Sequence, residues 1–200
     1  MPEPLITSSS LTALTEKYTQ ITYNLANAST VGFKRRQADF TLVDDPESQV
    51  PDASIVQMVE SLDLQQGNMI TTGRPLDFAI SGPGFFTIET PSGPIYTRNG
   101  QFRLNAANQV VDFAGRNVAG TSGTIALPDN MTASDITVTR EGNVWAGGRK
   151  IAQLRMVQFQ RPGDLEPLGD SSFRKPANRS PSQRCPKPSM LRVGRASVWW

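Results

Sequence analysis

Residues 76–104 read LDFAISGPGFFTIETPSGPIYTRNGQFRL, and two features of this stretch decide the fold class. Phe78/Ile80, Phe85/Thr87, Ile95/Thr97 and Phe102/Leu104 each stand two apart, the spacing that sends alternate side chains to one face of a strand. Between these pairs lie Pro91-Ser92-Gly93-Pro94 and Asn99-Gly100. Gly and Asn tolerate positive φ, and Pro fixes φ, so these pieces supply turn chemistry. The alternation continues through Val111/Phe113, Ile136/Val138 and Val144, punctuated by residues 105–108, Gly115, Glu141-Gly142-Asn143 and Gly147-Gly148. A longer run, residues 151–159, reads as one central strand. The expectation is a mainly β chain: an antiparallel meander or barrel-like domain over 76–176. Phe78, Ile80, Phe85, Ile95, Phe102, Val111, Ile136, Val138 and Leu154 are expected in its core.

Upstream the period changes. Leu11, Leu14, Tyr18, Ile21 and Leu25 are spaced 3, 4, 3, 4, an a/d heptad stripe within a helix expected over 8–27, with Ser8 to Ser10 as N-caps. The other faces carry Thr, Glu, Lys, Gln and Asn. Such a narrow apolar seam fits a partner helix and equally fits packing on its own domain. Domain 1–32 is therefore read as an N-terminal heptad helix. Residues 33–75 read as a connector with partial extended structure: acidic and polar over 43–54, then one strand over 55–64. The segment 177–200 has Pro, Ser and Arg in no period and is expected to be a disordered tail.

Composition excludes several classes of function. The chain has no His, which removes the commonest general base and metal ligand. The single Cys185 can form no intrachain disulfide. The formal net charge of +2 is misleading, because seven Lys or Arg and no acid fall in 174–200, leaving 13 basic against 18 acidic residues before them. A body of that sign offers nucleic acid no broad basic surface. Lys34-Arg35-Arg36 reads as a solvated run, and Ser81-Gly82-Pro83-Gly84 as a turn too short for a phosphate loop. Phe78, Phe85, Phe86 and Phe102 read as core, not as a base-stacking platform. No stretch approaches the ~20 apolar residues of a membrane helix, and no cleavable signal peptide is visible. No catalytic, cofactor or metal residue is assigned, no cofactor or small-molecule substrate is expected, and the chain is read as not an enzyme.

Asn24-Leu25-Ala26-Asn27-Ala28-Ser29-Thr30-Val31-Gly32-Phe33-Lys34, with Asn24, Leu25, Asn27, Gly32, Phe33 and Lys34 as motif residues, closely resembles the N-terminal signature of the flagellar basal-body rod and hook protein family, and further stretches follow in the family's order. Gln66-Gly67-Asn68 and Thr72-Gly73-Arg74-Pro75-Leu76-Asp77-Phe78-Ala79-Ile80 resemble the family's lead-in to its β domain. Gly82-Pro83-Gly84-Phe85-Phe86 and Tyr96-Thr97-Arg98-Asn99-Gly100-Gln101-Phe102 resemble its first hairpins. Ile136-Thr137-Val138 with Gly142-Asn143-Val144 resembles a later hairpin, and Leu165-Glu166-Pro167-Leu168-Gly169 an exit strand. Together they cover 11–176. Within the family, the short β region and residues 151–159 are most similar to the proximal rod branch, with the distal rod branch second.

The resemblance implies a structural subunit that assembles with other rod subunits through its helix and β domain, in the periplasm-spanning rod of the basal body. It implies export without a cleaved leader, through the flagellum's own apparatus. It also implies a second heptad helix near the C-terminus, where the basic Pro/Ser tail stands instead with the composition of a shifted reading frame. The competing expectation is a monomeric all-β binding or adhesion module whose helix packs on its own sheet. The two differ at the seam: a rod subunit leaves Leu11, Leu14, Tyr18, Ile21 and Leu25 exposed in the monomer, and a self-contained module buries them.

Overall fold

The computed structural model describes residues 4–44, 54–169, 171–176, 183–184 and 197–199. Contacts divide the chain into two compact units: residues 1–29 with 34–65, and residues 30–33 with 66–200.

The first unit is a helix laid on a hairpin. α1 (Pro4–Ala26) begins one turn earlier than the heptad stripe indicates. The threonines scattered along it are accommodated locally: Thr15, Thr19 and Thr22 each donate to the carbonyl four residues back, as Ser and Thr do inside helices. β1 (Arg36–Asp44) and β2 (Ser54–Leu62) pair antiparallel over nine residues without a bulge, from Arg36↔Leu62 to Asp44↔Ser54. The expected connector is therefore largely a regular hairpin. Its first strand was hidden by charge: Ala38, Phe40 and Leu42 alternate correctly, but Asp39, Asp44 and Arg36 surround them.

The second unit holds the remaining strands. These are β3 (Met69–Thr71), β4 (Phe85–Ile88), β5 (Ile95–Thr97), β6 (Arg103–Leu104), β7 (Val110–Val111), β8 (Ala119–Gly120) and β9 (Gly123–Thr124). There follow β10 (Ile136–Val138), β11 (Asn143–Ala146), β12 (Arg149–Gln153), β13 (Met156–Phe159), β14 (Glu166–Gly169), β15 (Ser172–Arg174), β16 (Gln183–Arg184) and β17 (Ser197–Trp199). The largest sheet has the order β14-β15-β5-β4-β13-β16, and a three-stranded sheet has the order β10-β11-β12. Every named pairing is antiparallel. The chain is mainly antiparallel sheet, as expected; the described strands form no closed barrel, and the six-stranded sheet ends on β14 and β16. Its order is also not that of a simple meander, because β15 returns to lie beside β5. The expected tail, 177–200, falls largely outside the described residues. Its two described pieces are short strands, β16 on β13 and β17 on β3.

β4 is buried on both faces, which explains why it reads FFTI and not as an apolar/polar alternation. Phe86 and Ile88 join Phe78, Ile80, Ile95, Phe102, Val118, Ile125, Ile136, Val144 and Leu154 in one core cluster. Phe102 meets Phe86 edge-on with centroids 5.3 Å apart and lies 6.0 Å from Phe78. On the opposite face Phe85 contacts Phe159 and Phe173 at 5.8 and 5.7 Å. Of the expected core residues, Phe78, Ile80, Phe85, Ile95, Phe102, Val111, Ile136 and Leu154 are buried; Val138 is half-buried against the cluster. Phe113, which shares the period of Val111, is 54% exposed, because the chain turns directly after β7.

Residues 151–159 do not form one strand. β12 and β13 belong to different sheets. At the junction Leu154 bridges Gly120 and its N–H donates to the Gly142 carbonyl. Turn glycines act in two ways. Gly142 has φ +77°, and its N–H closes the turn on the Thr139 carbonyl. Gly100 lacks positive φ; a β-carbon there would run into the Phe78 carbonyl, so close backbone approach requires the glycine.

Candidate assembly surface

The helix turns an unexpected face to the hairpin. Among the helix residues whose burial is described, Ala13 and Gln20 are buried, with Ser9, Lys17 and Asn24, and Asn27 just past the helix end, half-buried along the same stripe. Small and polar side chains therefore make the intramolecular contact. The Lys17 ammonium lies 4.9 Å from the Phe40 ring centroid, and the Arg36 guanidinium 4.5 Å from that of Tyr23. The Val56 N–H donates to the Ser9 hydroxyl at 3.4 Å. The apolar seam faces elsewhere: Leu11, Leu14, Tyr18, Ile21 and Leu25 are 67%, 58%, 73%, 53% and 75% exposed. A helix that packs its polar stripe and presents its heptad stripe reverses the usual amphipathic arrangement of a globular protein's surface helix.

Several motif residues set this geometry. The Asn24 side chain pairs with the Arg36 backbone in both directions: Nδ2 donates to the Arg36 carbonyl at 2.8 Å, and Oδ1 accepts the Arg36 N–H at 3.0 Å. The amide thus acts as one residue of a strand partner at the start of β1. Asn27 donates twice to the Tyr23 carbonyl at the last helical turn, from its backbone N–H at 3.2 Å and from Nδ2 at 2.9 Å. Leu25 belongs to the exposed seam. Lys34 Nζ donates to the Gln65 carbonyl at 2.6 Å, and Arg35 Nε to Asp63 Oδ2 at 2.7 Å. These two bonds tie the base of the hairpin. Asp63 also accepts the Gln65 N–H; that bond first, and the Arg35 guanidinium after it, hold its carboxyl below the usual range despite some desolvation.

Gly32 and Phe33 belong to the second unit. Gly32 has φ +70°, and a β-carbon on it would meet the Asn99 backbone nitrogen at 2.6 Å. Phe33 is half-buried, and its N–H donates to the Thr30 carbonyl. Both reasons for a glycine, left-handed backbone and close approach, hold at this one position. The seam, Asn24 and Lys34 lie on one unit and Gly32 on the other. Sequence reasoning missed the Asn24–Arg36 pairing, since an Asn near a helix end reads as a terminator. It also missed the burial of Arg98.

No group of acidic or thiol side chains among the described residues is placed to hold a metal ion. No described helix is long and apolar enough to cross a membrane. Among the described residues, the β unit buries an apolar core and the helix leaves its apolar stripe exposed.

The sequence profile for the flagellar hook protein FlgE/F/G D1 domain matches residues 79–146. The flagellar basal-body rod protein FlgG of Agrobacterium fabrum is 35% identical over 186 residues, covering 80% of this chain and 69% of that protein. FlgF of Rhizobium meliloti is 32% identical over 150 residues (75% and 62%), and FlgG of Caulobacter vibrioides 32% over 177 residues (76% and 66%). The chain thus spans about two thirds of the length of these relatives. It belongs to the flagellar basal-body rod protein family, whose members are structural proteins and not enzymes.

Proposed function

We propose that this chain is a self-assembling subunit of the flagellar rod, joined to neighbouring rod subunits through the seam Leu11, Leu14, Tyr18, Ile21 and Leu25. The observation that carries this is the exposure of all five seam side chains while Ala13 and Gln20 of the same helix are buried. Knobs of an a/d stripe gain stability by inserting between the side chains of a facing helix. Heterologous contacts whose rotation does not close propagate an open helix instead of a ring. In this reading the helix domain, 1–32, enters the helical layer of the rod, 33–75 connects it, and the β domain, 76–176, adds the outer contacts. The assembled rod lies in the basal body, spans the periplasm and transmits rotation for motility; the subunit reaches it by the flagellum's own export route. Between the two branches, the proximal position is the first choice, as the β region suggests, and the distal position the second. The self-contained binding module is disfavoured by the same exposures, since it requires the seam to be covered.

The test is Leu14→Asp with Ile21→Asp. The β unit of this variant should unfold at the same denaturant concentration as the unaltered chain, and the variant should fail to enter rods or support swimming. Normal incorporation of the double variant would refute the reading.

A further inference from the structure

Arg98 is a buried cation without a counter-charge among the described residues. It retains 8% exposure, on the face of the six-stranded sheet that carries Phe85 and Tyr96. Its guanidinium lies 4.9 Å from the Phe85 ring centroid, and Nη1 donates to the Gly82 carbonyl at 2.7 Å. Nε is sealed from solvent with no partner. Nη2 is the nitrogen left to meet the surface. Among the described residues no carboxylate lies within ion-pair distance of Arg98. Arg36, Arg74 and Arg116 have such partners, while Arg103, Arg140, Arg149 and Arg155, which do not, are exposed. Burial alone lowers the Arg98 pKa to about 10, with no anion opposing it.

Removing a guanidinium from water without an opposite charge is unfavourable, and one carbonyl and one ring face replace only part of its hydration. A charge kept at such a cost is accounted for when an anion arrives from outside. We propose that Arg98 is a docking point for an Asp or Glu carboxylate of a second copy of this chain. The guanidinium is held by Gly82 and Phe85, so Nη2 is set to donate to a carboxylate with little loss of side-chain freedom. A second copy is the fitting donor because residues 1–173 carry 18 acids against 13 bases. The proposal rests on the rod-subunit reading but concerns a different surface from the helix seam.

The experiment uses the full chain, its Arg98→Met and Arg98→Lys variants, sedimentation velocity over a concentration series, and urea unfolding at the lowest concentration. The Met variant should unfold at the same or a higher urea concentration than the unaltered chain. It should self-associate about thirtyfold more weakly or worse, the effect of truncating one partner of a desolvated charge pair. The Lys variant, with charge but no fork, should fall between. In the unaltered chain the Arg98 Nε–H nuclear resonance should shift on association, a readout that requires no substitution. Undiminished association of the Met variant, an unmoved resonance on association, or a chain monomeric at every concentration would each overturn the assignment. Rod entry by the Met variant at normal levels would overturn it and leave the rod reading standing, whereas failure of the unaltered chain to enter rods would remove that reading itself.

Discussion

Replacing Phe102 by Ala tests the core that supports every other element of the β unit. The ring is 1% exposed and packs against Phe86 at 5.3 Å and Phe78 at 6.0 Å. Truncating a buried Phe forfeits its transfer free energy and leaves a cavity whose walls relax only in part, about 3–5 kcal/mol. The lost edge-to-face pairing with Phe86 places the expected cost in the upper half of that range, since such pairs add roughly 0.5–1.5 kcal/mol beyond area. Against a total of about 5–15 kcal/mol the variant stays folded but is visibly weakened. For a chain of this size, each kcal/mol lowers the melting temperature by roughly 2–4 °C, so a fall of about 8–20 °C is expected. Urea titration followed by tryptophan fluorescence reads the change, with Trp145 reporting from β11. Phe113→Ala is the matched control: that ring is 54% exposed on a turn and should cost under about 0.5 kcal/mol. A Phe102→Ala loss below about 1 kcal/mol, or equal to that of Phe113→Ala, would refute the packing described.

Gly32→Ala should destabilise the chain by more than Gly73→Ala. Both glycines have positive φ, +70° and +75°, but only at Gly32 does an added β-carbon meet neighbouring backbone; equal melting temperatures for the two variants would contradict the close approach. Asp63 supplies the pH dependence. Its folded pKa is depressed by the Gln65 N–H and Arg35, so its contribution is fully present above the ordinary carboxylate pKa. That contribution is lost as the pH falls through the lower folded value. Amide exchange at the base of β1 and β2, corrected for its intrinsic pH dependence, should therefore rise on acidification, and Asp63→Asn should abolish the extra rise. An unchanged profile in that variant would show that Asp63 does not hold the hairpin.

Period two made most of the β unit legible, because the sheet's core face is filled by residues such as Phe78, Ile80 and Phe102 at that spacing. The seam was legible for the same kind of reason, a 3-4 repeat of large apolar residues. What escaped was set by partners distant in sequence. The break inside residues 151–159 is made by Gly120 and Gly142, which no local pattern announces. The inner helix stripe of Ala13, Gln20 and Asn24 looked like a solvent face because polarity is the only local cue to exposure. Arg98, beside an Asn-Gly turn, carries no local cue to burial; only the assembled sheet places Phe85 and the Gly82 carbonyl against it. Strand β1 was a failure of weighting, since its alternation was present but interleaved with charge.

The outward seam carries the whole functional reading, and cysteine accessibility at Leu14 tests it most directly. A Leu14→Cys, Cys185→Ser chain is labelled with a thiol reagent as a demonstrated monomer, and again after incorporation into rods. Leu14 is 58% exposed in the isolated chain, so the monomer should label at nearly the rate of a free thiol, and incorporated subunits should be strongly protected. Protection in the monomer, or unchanged labelling in the rod, would contradict the account.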